Sequence, residues 1–251
     1  MNINSHFIPT SYQTLFSLFK KELDLLKKDP IIIAIDGHSS SGKSSLAKDL
    51  SLVTGYIHLD SGAMYRAVTL YFLNNAVDLQ STQSVSDALD SFTVDFIQTE
   101  GRQQVAINGE VVEDKIRSMD VSKFVSEVAA IAEVRKGLVK RQRALGQNKG
   151  IVMDGRDIGS VVFPNAEVKF FVTADLDVRA SRRFQELESK GFSQSMNEVK
   201  ENLIKRDHID STREDSPLVQ AKDAIVIDTS HLDMKGQLVS ALQHVFQRNQ
   251  K

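Results

Sequence analysis

Short apolar runs alternate with longer segments of helical period from Ile31 to near the end of the chain. The runs at 31–36, 56–59, 151–154, 167–173 and 224–228 are too short for helices, and they predict strands buried on both faces. Between and after them, helices are expected at about 43–53, 62–75, 120–147, 175–190, 195–208 and 233–248, each opened or closed by Ser, Asp, Gly or Pro. That rhythm predicts an α/β protein, a five-stranded parallel sheet flanked by helices. One stretch breaks it. Phe92, Val94 and Phe96 alternate with Thr93 and Asp95, Val105 and Ile107 resume the two-residue period, and Asn108-Gly109 marks a tight turn before Val111 and Val112. A small antiparallel insert is therefore expected at about 80–117.

Residues 10–28 carry a different pattern, with Tyr12, Leu15, Phe16, Phe19, Leu23 and Leu26 on one helical stripe and mostly lysines opposite. Thr10 and Gln13 suit a capping box, and Asp29-Pro30 stops the helix. Such a helix either docks on the protein's own core or meets a partner or a membrane surface.

Composition narrows the chemistry. A chain of 251 residues is long enough for one large domain with a substantial core. Its net charge of -2 gives no global field for nucleic acid, so an anion site must come from locally clustered arginines. Without cysteine there is no disulfide, thiolate nucleophile or zinc-thiolate site. The absence of a signal-peptide pattern and of long apolar runs leads to the expectation of a cytoplasmic protein away from the membrane.

The segment Gly37, His38, Ser39, Ser40, Ser41, Gly42, Lys43, Ser44 directly follows the first apolar run and fits the phosphate-binding loop pattern G-x-x-x-x-G-K-S. Glycines let successive backbone N–H groups converge on phosphate, Lys43 adds charge, and the Ser44 hydroxyl suits Mg²⁺. The helix starting there turns its positive end to the same anion. A nucleoside triphosphate is the expected ligand.

Further candidates stand where strands end, which in open α/β sheets is the ligand crevice. Asp60-Ser61 precedes a helix, with Ser61 the expected cap and Arg66 one turn in. Asp154-Gly155-Arg156-Asp157 follows the 151–154 strand, placing a carboxylate suited to a Mg²⁺ hydration shell beside a guanidinium suited to phosphate. Arg179, Arg182 and Arg183 share one helix, and Arg206, Asp207, Asp210 and Arg213 share the next and its end, on either side of a turn containing Gly191. Solvated charged faces are the ordinary reading of such clusters. A mobile lid carrying positive charge over phosphates is the functional one.

These blocks together resemble the bacterial-type cytidylate kinase family. The resemblance runs from about 31 to 246 and rests on the phosphate loop, Leu59 to Arg66, Ile107 to Val112, Arg141-Gln142-Arg143, Asp154 to Gly159 with Val161 to Pro164, and Arg206-Asp207 through Arg213. It implies a P-loop kinase core at 30–251, a nucleoside-monophosphate-binding insert at about 80–117 and a helical lid at about 179–193, with 1–29 as an extension. It also implies transfer of the γ-phosphoryl group of ATP to CMP or dCMP with Mg²⁺. A monomer that takes free nucleotides and no nucleic acid is expected.

Carried over by position, the resemblance assigns Gly37 to Ser45 to ATP, with His38, Ser39, Ser40, Ser41 and Gly42 as the loop, Lys43 as catalytic, and Ser45 beside the metal-binding Ser44. It assigns Ser126, Arg135 and Asp157 to the cytosine edge, and Ser61, Arg66 and Arg156 to the CMP phosphate side. Arg206, Asp210 and Arg213 go near ribose and phosphate, and Arg179, Arg182 and Arg183 to the lid, with Asp154 near Mg²⁺ through water. There are two departures from the family pattern, His38 in place of the usual proline and Ser44-Ser45 in place of Gly-Thr. A P-loop kinase with another acceptor is the nearer rival. A regulatory nucleotide-binding module is the other, although Asn148-Lys149-Gly150-Ile151 lacks the aspartate of a guanine-reading N-K-x-D loop.

Overall fold

The computed structural model describes residues 14, 17–99 and 102–248. Its centre is a parallel sheet of β1 (Ile32–Gly37), β2 (Ile57–Asp60), β6 (Ile151–Gly155), β7 (Val168–Thr173) and β8 (Ile225–Asp228), in the spatial order β2-β6-β1-β7-β8. β1 lies between β6 and β7 and is buried on both faces. Ile33 and Ile35 face one layer and Ala34 the other. This is the reason the run is apolar without alternation.

On the first face, α2 (Lys43–Thr54) and α9 (Met234–Gln247) pack Leu46, Leu50, Leu238, Leu242 and Val245 against Ile33, Ile35, Phe170 and Val172. α1 (Lys20–Lys28) joins this core through Leu23 and Leu26, both 1% exposed. Phe19, just ahead of it, lies 4.9 Å from the Phe246 ring. The Tyr56 hydroxyl donates to the Leu26 carbonyl at 3.0 Å and accepts the Ile31 N–H, fastening the end of α1 to the approach of β2. The earlier half of the expected stripe, Tyr12, Leu15 and Phe16, and the Thr10–Gln13 box lie outside the described residues.

On the other face stand α3 (Ser61–Asn74), α5 (Met119–Val128) and α6 (Ala132–Leu145). The insert packs here too, as the antiparallel sheet β3 (Val94–Thr99), β4 (Arg102–Ile107) and β5 (Glu110–Val111). Asn108 and Gly109 take φ of 50° and 86°, the left-handed pair that the predicted tight hairpin needs. A short helix not expected from the sequence, α4 (Thr82–Asp90), precedes β3, capped by Ser81 and burying Val85. α7 (Leu176–Ser189) and α8 (Met196–Thr212) form a hairpin with a small core of its own, Ala180, Leu187, Val199 and Leu203. Among the described residues no helix is long and apolar enough to cross a membrane.

Two expectations need correction. The single helix at 120–147 is two, α5 and α6, separated at 129–131, where the Ala129 carbonyl accepts from Arg135 Nη1 at 3.1 Å. A side chain from the second helix thus closes the first. In one straight helix, Ser126 and Arg135 would stand about 13 Å apart along the axis, whereas the turn brings both to one cavity. The cap of α3 is Asp60, not Ser61: its carboxylate accepts the Ala63 N–H at 2.9 Å, and Ser61 is the first helical residue.

Candidate active site

All five parallel strands end on one side of the sheet, and a cavity of about 740 Å³ opens there. The loop from β1 to α2 forms one wall. Gly37 leaves the strand with φ 153°, and a Cβ on it would stand 2.1 Å from the Val172 carbonyl oxygen of β7. Only glycine lets the loop turn that close to the sheet. Gly42, at φ 92°, is the N-cap of α2, so the open N–H groups of that helix point into the cavity. Lys43 Nζ donates to the His38 carbonyl at 3.1 Å. Burial, with nearby Arg156 adding to it, brings the Lys43 ammonium down to about 7.

Beside this loop, Ser44 Oγ donates to Asp154 Oδ2 at 2.6 Å, and His58 Nε2 stands 2.7 Å from Asp154 Oδ1. Ser61 Oγ donates to the Asp154 carbonyl at 2.7 Å, locking the start of α3 to the end of β6. Asp60 both caps α3 and accepts from Arg66 Nη2 at 2.7 Å, so one carboxylate fixes the helix start and the guanidinium one turn later. Burial works against the Asp60 charge, but Arg66, His58 and Arg117 outweigh it and hold the carboxyl below the usual range.

The opposite end is built around Arg135, 1% exposed, which donates to Asp157 and lies over the Tyr65 ring, 5.4 Å from its centroid. Burial pushes the Asp157 carboxyl up against the opposing pull of Arg135 and Arg213. Ser126 lines the same end. Between the two ends lie Arg66, Arg156 and Arg206. Arg156 Nε donates to Asp210 Oδ2 at 2.7 Å. Burial and the neighbouring Arg156 bring Arg206 down to about 10. Arg66 Nε and Arg206 Nε are buried with no hydrogen-bond partner among the described residues.

Most of the expected residues therefore share one cavity: Ser39, Ser40 and Gly42 to Ser45 in the loop, Ser61, Arg66, Ser126, Arg135, Asp154, Arg156 and Asp157, and Arg182, Arg183, Arg206, Asp210 and Arg213 beyond. Gly37, His38, Ser41 and Arg179 do not line it. Arg179 instead bonds the Ala174 and Ser39 carbonyls and Asp207 Oδ2, bracing the loop from behind. His38 Nδ1 lies 3.4 Å from Asp207 Oδ1 on the same side. Arg182 is tied to Thr229, and Arg183 to Glu186. Arg213 donates twice to the Ser216 carbonyl.

Several neighbours escaped the sequence reading. Asp36, at the end of β1, accepts the Ile158 and Gly159 N–H groups at 2.7 and 2.8 Å, holding the loop that carries Arg156 and Asp157. Arg117, brought by the insert, enters the cavity 3.9 Å from Asp60. Arg117 lies in a polar segment and gives no signal by itself; only the fold aims it inward.

The family model for cytidylate kinase matches residues 33–247. The chain belongs to the cytidylate kinase family. A cytidylate kinase of Parabacteroides distasonis is 52% identical over 214 residues, covering 82% of this chain and 93% of that protein. One of Bacteroides fragilis is 50% identical over 212 residues, with 82% and 93% covered. One of Flavobacterium johnsoniae is 49% identical over 220 residues, with 86% and 96% covered. The cytidylate kinase match takes in the phosphate loop, the insert and the α7–α8 hairpin, and leaves α1 outside.

Proposed function

We propose that the chain transfers the γ-phosphoryl group of ATP to CMP or dCMP, giving ADP and CDP or dCDP, with the cavity residues in the roles derived below. One observation carries the reading: a single cavity joins the Gly42-capped start of α2, through three arginines, to a buried arginine–carboxylate pair. A nucleotide at each end would meet phosphate to phosphate in the middle.

The triphosphate lies on the loop from Ser39 to Ser45, whose N–H groups and Lys43 receive its oxygens. Arg182 and Arg183 approach the same phosphates, the first from beside Gly42 and the second after leaving Glu186. The residues present fit Mg²⁺, because Ser44 and Asp154 offer hard oxygens side by side at the helix start. Mg²⁺ bound with ATP supplies charge neutralisation on the β- and γ-phosphates, and Ser44, with Asp154 through water, would hold it.

CMP lies toward α5 and α6, its phosphate on Arg66, Arg156 and Arg206, and Asp210 and Arg213 near its ribose. Arg135, Ser126 and Asp157 meet the base. A carboxylate accepts from the cytosine amine and opposes the carbonyl oxygen of uracil, leaving buried polar groups unpaired in the wrong complex. No protein base is needed, since the attacking CMP oxygen is already anionic near neutral pH. It bonds to the γ-phosphorus as the bridging oxygen of ADP departs, so the protein's task is alignment and charge neutralisation. The α7–α8 hairpin acts as the lid, closing to keep water from the γ-phosphorus. The chain works on free nucleotides, and its lack of cysteine fits the cytoplasm.

Calorimetric titration tests the two-ended cavity. CMP and a non-hydrolysable ATP analogue should bind one each to the same molecule. Mutually exclusive binding would overturn the arrangement.

A further inference from the structure

His58 has no part in the roles above, yet it touches the carboxylate that sits nearest the metal-binding serine. It lies on β2 opposite Val152 of β6, and its Nε2 stands 2.7 Å from Asp154 Oδ1. Ser44 Oγ occupies the other oxygen, Oδ2, at 2.6 Å. Asp154 is 1% exposed, and among the described residues no lysine or arginine makes an ion pair with it. Its orientation therefore rests on one hydroxyl and one imidazole.

The chemistry of that pair is specific. A carboxylate oxygen accepts, so the hydrogen between them sits on His58 Nε2. The terminal torsion of an aspartate is broad, and one donor leaves the plane free to swing; two donors on separate oxygens fix it. With the plane fixed, Oδ2 keeps the Ser44 proton, and the lone pairs of the Ser44 oxygen turn away from Asp154 toward the helix start. That is the arrangement an oxygen-seeking cation needs there. Groups that orient a metal site from behind in this way commonly alter metal affinity by 10–100-fold when removed.

We infer that His58 is a positioning residue for the metal–nucleotide complex, setting Mg²⁺ affinity by orienting Asp154 and, through it, the Ser44 hydroxyl. The inference rests on the proposed metal role of Ser44 and Asp154. Toward the CMP side His58 acts only through the charge of Asp60, which Arg66 and Arg117 also hold, so CMP affinity is the reference against which the Mg²⁺ effect is read.

The test is Mg²⁺-dependent binding of a fluorescent, non-hydrolysable ATP analogue, followed without turnover. It compares the unaltered protein with His58→Leu, His58→Gln and Asp154→Asn, with CMP affinity and thermal melting measured on each. His58→Leu should raise the Mg²⁺ needed for half-saturation about tenfold while CMP affinity stays within about threefold. His58→Gln, whose amide N–H reaches toward the same oxygen, should restore most of the loss. If His58→Leu fails to fold, His58→Asn replaces it, because its shorter amide falls short of Oδ1. An unchanged Mg²⁺ dependence in the His58 variants, with Asp154→Asn strongly shifted, would overturn the role of His58 alone. An unchanged dependence in Asp154→Asn as well would overturn the metal reading of Asp154 and the inference with it.

Discussion

Nε of Arg156 lies 2.7 Å from Oδ2 of Asp210, so a strand-end arginine is oriented by a carboxylate from α8. Burial opposes the Arg156 charge, but Asp210 and its neighbours outweigh it and hold the guanidinium above its ordinary value. The bond uses Nε, and Nη1 donates to the Gly155 carbonyl at 3.4 Å, which leaves Nη2 without a hydrogen-bond partner among the described residues. The pair thus ties the sheet to the α7–α8 hairpin at the centre of the cavity.

Arg156→Ala should lower kcat about 10²–10³-fold, the usual cost of removing a preorganised donor from a developing charge. Arg156→Lys should recover only part, since an ammonium cannot keep the Asp210 bond and a bidentate phosphate contact together. Steady-state kinetics with circular dichroism of each variant checks this. A rate within threefold of the unaltered enzyme in Arg156→Ala would remove it from the machinery.

Asp157→Asn should narrow the discrimination between CMP and UMP at least tenfold. An amide of the same shape both donates and accepts, so it tolerates the uracil carbonyl that a carboxylate opposes. The Arg135 contact survives through the amide oxygen, which limits the loss of stability that an unpaired buried guanidinium would bring. The ratio of kcat/KM for the two substrates is the measurement.

Nucleotide binding should take up a proton at pH 8. Free Lys43 titrates at about 7 because burial, followed by Arg156, disfavours its charge; phosphate oxygens favour the charge and raise the value in the complex. Between those two values the free protein has lost a proton that the complex holds, so affinity for ATP falls as pH rises through that window. Calorimetry in two buffers of different ionisation enthalpy should show uptake close to one proton, and Lys43→Arg should show almost none.

Leu23→Ala and Leu26→Ala should each cost about 2–5 kcal/mol of stability, because both side chains are 1% exposed in the core shared with α2 and α9. Removing 1–28 should lower the melting temperature further and leave kcat/KM of the folded fraction near normal, since α1 contributes nothing to the cavity wall. Chemical denaturation and kinetics on the same samples separate the two effects.

The sheet was legible because β1 and β6 are buried on both faces and so read as unbroken apolar runs. The insert was legible through Asn108-Gly109, whose positive φ values few other pairs tolerate. The break at 129–131 was not, because Ala129-Ala130-Ile131 holds neither glycine nor proline. Arg135, reaching back to the Ala129 carbonyl, makes the break by a tertiary contact. Asp60 and Ser61 are both good caps, and the choice falls to Asp60 because the Ser61 hydroxyl is spent on β6. In the site, glycine-rich and arginine-rich blocks announced themselves by spacing. His58 did not, since a histidine in a strand looks like an ordinary polar position until β2 pairs with β6 beside Asp154.

A cavity that passes a phosphoryl group from ATP to a cytosine nucleotide should select its acceptor by the base. Purified protein with ATP and Mg²⁺ should be given CMP, dCMP, UMP, AMP or GMP in turn, and ADP release followed. Turnover confined chiefly to CMP and dCMP is the expected result. Turnover with none of the five, while ATP binds, would overturn phosphoryl transfer as the activity and favour a nucleotide-binding module that works without catalysis.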